Sequence, residues 1–202
     1  MDISSPLGSL LKRTDAAALR VLALSGERLS GRQIARLAEE STPANIRLSL
    51  LRLTDVGLVT AAPRSDAILY AANRDHLLWP AIEIALDAEA ELMRRIRAMT
   101  REHGFQFTTV VLYGSVARGD SDADSDVDLL VVQAREGGLR QSYIDYLRED
   151  VQKWTGNRVQ IFDASVDELR RMRETGDPIV ASWLEEGRLV VGDDLRTILG
   201  IE

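Results

Sequence analysis

The 202-residue chain contains no cysteine, which excludes disulfides, thiolate metal sites and cysteine nucleophiles together. Its only histidines are His76 and His103, and neither stands in a pattern that points to a ligand role. Surface or core positions are expected for both. No window holds the ~18 consecutive apolar residues of a membrane span, so no membrane partner is expected. The opening "MDISSPLGSLLKRTD" begins acidic and lacks a basic segment followed by an unbroken apolar core. It therefore makes a poor signal peptide, and a cytoplasmic location is expected. An overall basic excess is missing too, since the net charge is −7. The charge is uneven, however. Residues 1–75 hold ten Lys/Arg against eight Asp/Glu, whereas residues 76–202 hold fifteen against twenty-four. Local patches decide whether a phosphate backbone can dock. The first segment is compatible with DNA; the second is unsuited to a non-specific grip on it.

What is present suffices for folding. The chain is 45% apolar and long enough for one ordinary domain or two small ones. "AALRVLALSG" predicts a helix closed by Gly26. Ser30 can cap a second helix, in which Ile34, Leu37 and Ala38 share a face. Thr42 as cap and Pro43 at the first helical position open a third, with Ile46, Leu50 and Leu53 as its buried stripe and Arg47 and Arg52 off it. Gly57 stops that helix. A short strand, a turn at Pro63–Asp66 and a second strand follow.

Three helices and a hairpin in this order resemble the winged helix-turn-helix domains of bacterial regulators, over roughly residues 7–74. The resemblance implies that the third helix enters the major groove of double-stranded DNA while the hairpin touches the flanking backbone. The implied contact residues are Ser41, Thr42, Asn45, Arg47, Ser49 and Arg52, with Arg64 on the wing. Arg and Asn suit base edges, and hydroxyls suit phosphates. Packing against a neighbouring domain or pairing of subunits is the alternative use of such a fold.

Residues 76–103 predict a long helix or a helix pair, with Pro80 near its start and Ile84, Leu92, Ile96 and Met99 at helical spacing. Such an element serves as a connector or as the seam of a homodimer. Domains are thus expected at 1–75 and 76–202. Beyond it, strand, turn, strand, helix and strand predict an α+β unit.

Its opening, "LYGSVARGDSDADSDVDLLVV", carries aspartates at positions 120, 122, 124, 126 and 128. The Gly-Ser turn after a strand is poor in side chains, so its backbone N–H groups can approach phosphates. If residues 126–132 are extended, Asp126 and Asp128 point to one face. Paired carboxylates repel unless a cation lies between them, and Mg²⁺ takes such oxygen ligands. An EF-hand fails, because position 125 would need glycine and position 131 glutamate, where the chain has Ser125 and Val131. A P-loop fails for want of a lysine. Asp120, Asp122 and Asp124 read as a solvated acidic loop.

Gly114, Ser115, Ala117, Arg118, Gly119, Ser125, Asp126 and Asp128 resemble the signature of DNA-polymerase-beta-like nucleotidyltransferases, in particular the small "minimal" members. The resemblance implies a nucleotidyltransferase fold with a mixed sheet over about residues 85–195. It implies that Gly114, Ser115 and Arg118 bind a nucleoside triphosphate, that Asp126 and Asp128 hold Mg²⁺ or Mn²⁺, and that a nucleoside monophosphate passes to an acceptor hydroxyl. Active relatives carry a third carboxylate on a later strand, and the aligned position here is Gln160, an amide that cannot act as a carboxylate base. Three functions stay open: a metal-dependent transferase addressed to DNA, a DNA-binding regulator whose degenerate transferase domain senses nucleotide or dimerises, and a toxin–antitoxin component acting on a protein partner.

Overall fold

The computed structural model describes residues 1–38, 41–65, 67–103, 108–133 and 139–201. Its contacts divide the chain into two compact units: Ser5–Asp87, and Met1–Ser4 together with Ala88–Glu202.

In the first unit a 3₁₀ turn at Pro6–Ser9 precedes α1 (Arg13–Ser25), β1 (Leu29–Ser30), α2 (Gly31–Leu37), α3 (Pro43–Asp55), β2 (Val59–Pro63), β3 (Ile68–Ala72) and α4 (Trp79–Leu86). Capping fixes the helix starts. Ser30 and Gln33 form a reciprocal capping box on α2, and the Thr42 hydroxyl accepts from the Asn45 amide at the start of α3. Gly26 closes α1 with a φ of +64°. The strands form an antiparallel sheet in the order β1-β3-β2. Arg64 N–H donates to the Ala67 carbonyl at the hairpin tip; Asp66, part of the expected turn, lies outside the described residues.

Ile46, Leu50 and Leu53 are buried as their spacing predicts, against Leu19, Leu22, Ile34 and Tyr70. Leu37 departs from expectation and lies half in solvent. The domain boundary also needs correction. Trp79 and Ile82 pack into this first core, so α4 belongs with the first unit, not with residues 76–202. The helix run breaks at Asp87, whose φ of −125° and ψ of 41° are non-helical. That break resets the helical phase, which is why Ile84 is exposed while Leu92, Ile96 and Met99 are buried.

The second unit contains α5 (Ala88–Glu102), β4 (Thr108–Tyr113), α6 (Gly114–Arg118), β5 (Val127–Gln133), α7 (Leu139–Thr155), β6 (Val159–Ser165), α8 (Val166–Glu174), α9 (Pro178–Glu186), β7 (Arg188–Val191) and α10 (Leu195–Leu199). Its sheet is mixed, in the order β6-β5-β4-β7. β4 is antiparallel to β5 and β7, whereas β5 and β6 run parallel through the crossover helix α7. The central strand β5 is covered on both faces, which explains its unbroken apolar run. Leu129 and Val131 pack with Ile96, Leu147 and Val151 on one side. Leu130 and Val132 pack with Leu169, Val180 and Trp183 on the other. Among the described residues no helix is long and apolar enough to cross a membrane.

Candidate functional site

The site forms where β4 ends and β5 and β6 begin. Tyr113 pairs with Asp128 across the antiparallel ladder, and Asp128 pairs with Gln160 across the parallel one. One row of the sheet therefore places Tyr113, Asp128 and Gln160 side by side. Gly114 follows directly with a φ of +74°, and a Cβ there would lie 2.3 Å from Asp128 Oδ2. The carboxylate occupies the space that glycine leaves open. Burial, and then the charge of Asp126, hold the Asp128 carboxyl above its ordinary range, with Arg118 opposing them. Burial and the charge of Asp128 likewise raise the Tyr113 hydroxyl.

Asp126 stands one residue before β5 begins. Its Oδ2 accepts from Gln160 Nε2 at 2.5 Å, and its Oδ1 lies 3.4 Å from Arg158 Nε. Val127 N–H donates to the Arg158 carbonyl at 2.8 Å, and Asn157 Nδ2 donates to the Ser125 carbonyl at 2.8 Å. The buried Asn157 thus clamps the start of β5 to the start of β6. β6 stays in register with β5 as far as Ser165, so Asp163, three residues after Gln160, faces the opposite side.

The acidic loop is held from within and from the chain's first residues. Asp122 Oδ1 accepts from the Asp124 amide at 3.0 Å and from the Ser125 hydroxyl at 2.8 Å. These bonds, the Ser125 hydroxyl foremost, keep the Asp122 carboxyl below its ordinary range. Ser121 is buried against Ser4: Ser4 Oγ accepts from the Ser121 amide at 3.0 Å, and the two hydroxyls lie 2.7 Å apart. Asp120, Asp122 and Asp124 are exposed, as expected of a solvated loop.

Arg118, expected from the resemblance to meet phosphate, pairs with two carboxylates. Its Nη1 donates to Glu186 Oε2 at 2.9 Å and its Nε to Asp120 Oδ2 at 3.1 Å. Ser115 lies half-buried in the first turn of α6. In the first unit Thr42, Asn45, Arg47 and Arg64 are exposed, and Ser41 is partly so. Two other residues of that set are engaged within the first unit. Ser49 is buried, and Arg52 bonds across to α1, donating to Asp15 Oδ1 at 2.5 Å and to Ser49 Oγ at 3.1 Å. Tyr113, Asn157, Arg158 and Glu186 were missed from the sequence. Only Arg158 carried a signal, through its nearness to Gln160.

The Gly-Ser pair that opens α6 is thus packed on the Asp-x-Asp at the start of β5. Residues 93–190 match the family model of the nucleotidyltransferase domain. That span contains the whole site, from α5 to β7. A solved chain described as "Crystal structure of the toxin-antitoxin with AMP-PNP" is similar at a TM-score of 0.37 and 16% identity, covering 54% of this chain and 81% of that one. No curated protein matches the chain.

Proposed function

We propose that the chain binds a nucleoside triphosphate at Gly114 and Ser115 and transfers its nucleoside monophosphate to an acceptor hydroxyl, with Mg²⁺ or Mn²⁺ held by Asp126 and Asp128. The observation that carries this reading is the contact of Gly114 with Asp128, which brings the phosphate-compatible turn against the carboxylate pair. Among the described residues no three His, Cys, Asp or Glu side chains gather as a metal cage. Two carboxylates nevertheless fit a cation of the Mg²⁺ type, which characteristically keeps waters and shares its coordination with substrate phosphates. A cation bound there would neutralise charge on the reacting phosphate and polarise it. The chain's own part is to seat the phosphates on the turn at the end of β4 and to fix Asp128 by the β4–β5 ladder.

A second reading is favoured by Gln160, which occupies the ladder position beside Asp128 where a third carboxylate would complete the transfer machinery. On that reading the domain senses nucleotide without turning it over. Incubation with each labelled triphosphate and Mn²⁺ or Mg²⁺, beside the Asp126→Ala/Asp128→Ala variant, decides between the two. Label passed to nucleic acid or protein, and abolished in the variant, supports transfer. Nucleotide binding with no transfer to any acceptor sinks it in favour of sensing.

The first unit is proposed as a winged helix that addresses the protein to double-stranded DNA. Support comes from the exposure of Thr42, Asn45 and Arg47 on α3 and of Arg64 on the hairpin; Ser49 is buried, and a DNA contact by Arg52 would compete with its pairing to Asp15. The test is a salt-dependent shift of the protein's own promoter DNA that weakens in Arg47→Ala and Arg64→Ala. No shift at low salt defeats the DNA role.

A further inference from the structure

Both oxygens of Asp126 face donors of the same chain, and the two donors differ in kind. Gln160 contributes a neutral amide at 2.5 Å from Oδ2, and Arg158 a guanidinium at 3.4 Å from Oδ1. Arg158 is fixed by its backbone and loose at its tip. Its carbonyl is bonded by Val127 N–H, yet its side chain is 85% exposed. Arg118, the other arginine beside the site, is tied to Glu186 and Asp120. Arg158 is therefore the guanidinium free to move without breaking a doubly bonded pair.

We propose that Arg158 is a triphosphate-binding residue and Gln160 a positioning residue, which together hold Asp126 until metal and nucleotide arrive as one complex. The inference rests on the transferase or sensing site proposed above and adds to it an order of binding. A divalent cation alone competes with both donors for Asp126 and sits beside the Arg158 charge, which is electrostatically unfavourable. A cation bound to a triphosphate brings anionic oxygens with it. Arg158 then passes from the carboxylate to a phosphate oxygen, a partner that guanidinium recognises through paired N–H donors. No covalent bond is made or broken; Arg158 exchanges one ionic partner for another.

The experiment is calorimetric titration of the full chain with Mn²⁺ alone, and with Mn²⁺ plus the non-transferable α,β-methylene analogues of ATP, GTP, CTP and UTP. Arg158→Ala is expected to bind Mn²⁺ alone more tightly and the Mn²⁺–nucleotide complex more weakly, with Arg158→Lys restoring part of the latter. Gln160→Ala removes one hydrogen bond that competes with the metal, so Mn²⁺ alone should bind about two- to tenfold more tightly. A merely structural role would move both affinities the same way, and that result overturns the proposal. So does nucleotide binding indifferent to Arg158→Ala, which would leave the nucleotide site itself standing. If the wild-type protein takes up none of the four analogues, the nucleotide reading falls and the phosphate role of Arg158 with it. The titration with Mn²⁺ alone still decides the hold on Asp126, and no tightening in either variant overturns that part.

Discussion

Replacing Gly114 with alanine separates backbone strain from site geometry, because Gly119 supplies a matched control. Both glycines have strongly positive φ, +74° and +78°, so an alanine at either pays a left-handed penalty of roughly 1–2 kcal/mol. Only at Gly114 does the new methyl meet an obstacle. Its Cβ would stand 2.3 Å from Asp128 Oδ2 and 3.2 Å from Asp128 Cγ, whereas nothing lies within 4 Å at Gly119. Relieving that overlap to an ordinary separation moves the carboxylate by about 1 Å. A misplacement of that size can cost on the order of 100-fold in a reaction that depends on position. Urea unfolding should therefore show similar destabilisation in both variants. The affinity for Mn²⁺ with a non-transferable nucleotide analogue should fall at least about tenfold in Gly114→Ala, and stay near wild type in Gly119→Ala. Unchanged affinity in Gly114→Ala, or an equal loss in Gly119→Ala, would refute the claim that this glycine exists to seat Asp128.

Gly187 has a φ of −65°, so its need is for space: an alanine Cβ would lie 2.2 Å from the Trp183 carbonyl and 2.8 Å from Val111 Cγ1. Gly187→Ala should cost about 1–3 kcal/mol by overpacking, read as a lowered urea midpoint. Tyr143 is buried, and burial pushes its hydroxyl up to about 12 despite a hydrogen bond with Thr100. Its folded pKa exceeds its unfolded value of 10.0, so its contribution to stability is complete below 10.0 and is lost as pH rises towards about 12. Tyr143→Phe should flatten the alkaline limb of the unfolding profile. For Asp15, burial acts upward, but the Arg52 and Ser49 hydrogen bonds and the Arg52 and Lys12 charges outweigh it and leave the carboxyl below its ordinary 3.8. Its contribution is present above 3.8 and is lost as pH falls through the lower folded pKa. Asp15→Asn should therefore be less stable near neutrality, and the gap to wild type should close in acid; a constant gap refutes this.

Local pattern carried much of the second unit. The Gly-Ser pair and the shared face of Asp126 and Asp128 were legible because strand periodicity is a property of the backbone, and Gln160 was reached only through the family resemblance; its place beside Asp128 comes from the β5–β6 ladder. The capping residues Ser30 and Thr42 were legible locally as well. The boundary at residue 75 failed because hydrophobic spacing through α4 and α5 looks continuous; only the packing of Trp79 and Ile82, and the break at Asp87, assign α4 to the first core.

By itself the sequence determined which side chains can do chemistry and which share a face, because spacing along a helix or strand dictates that much. The tertiary structure decided how the charges are spent. Arg52 is committed to Asp15, Arg118 to Glu186, and Asp126 to Gln160 and Arg158, through partners 37, 68 and 34 residues apart for the hydrogen bonds concerned. Arg94 and Arg95 meet Glu91 at helical spacing, a pairing the sequence can show, but Arg52 and Arg118 reach carboxylates outside their own helices. Those two partnerships form when packing brings distant carboxylates within reach, and no periodicity in the chain records that meeting.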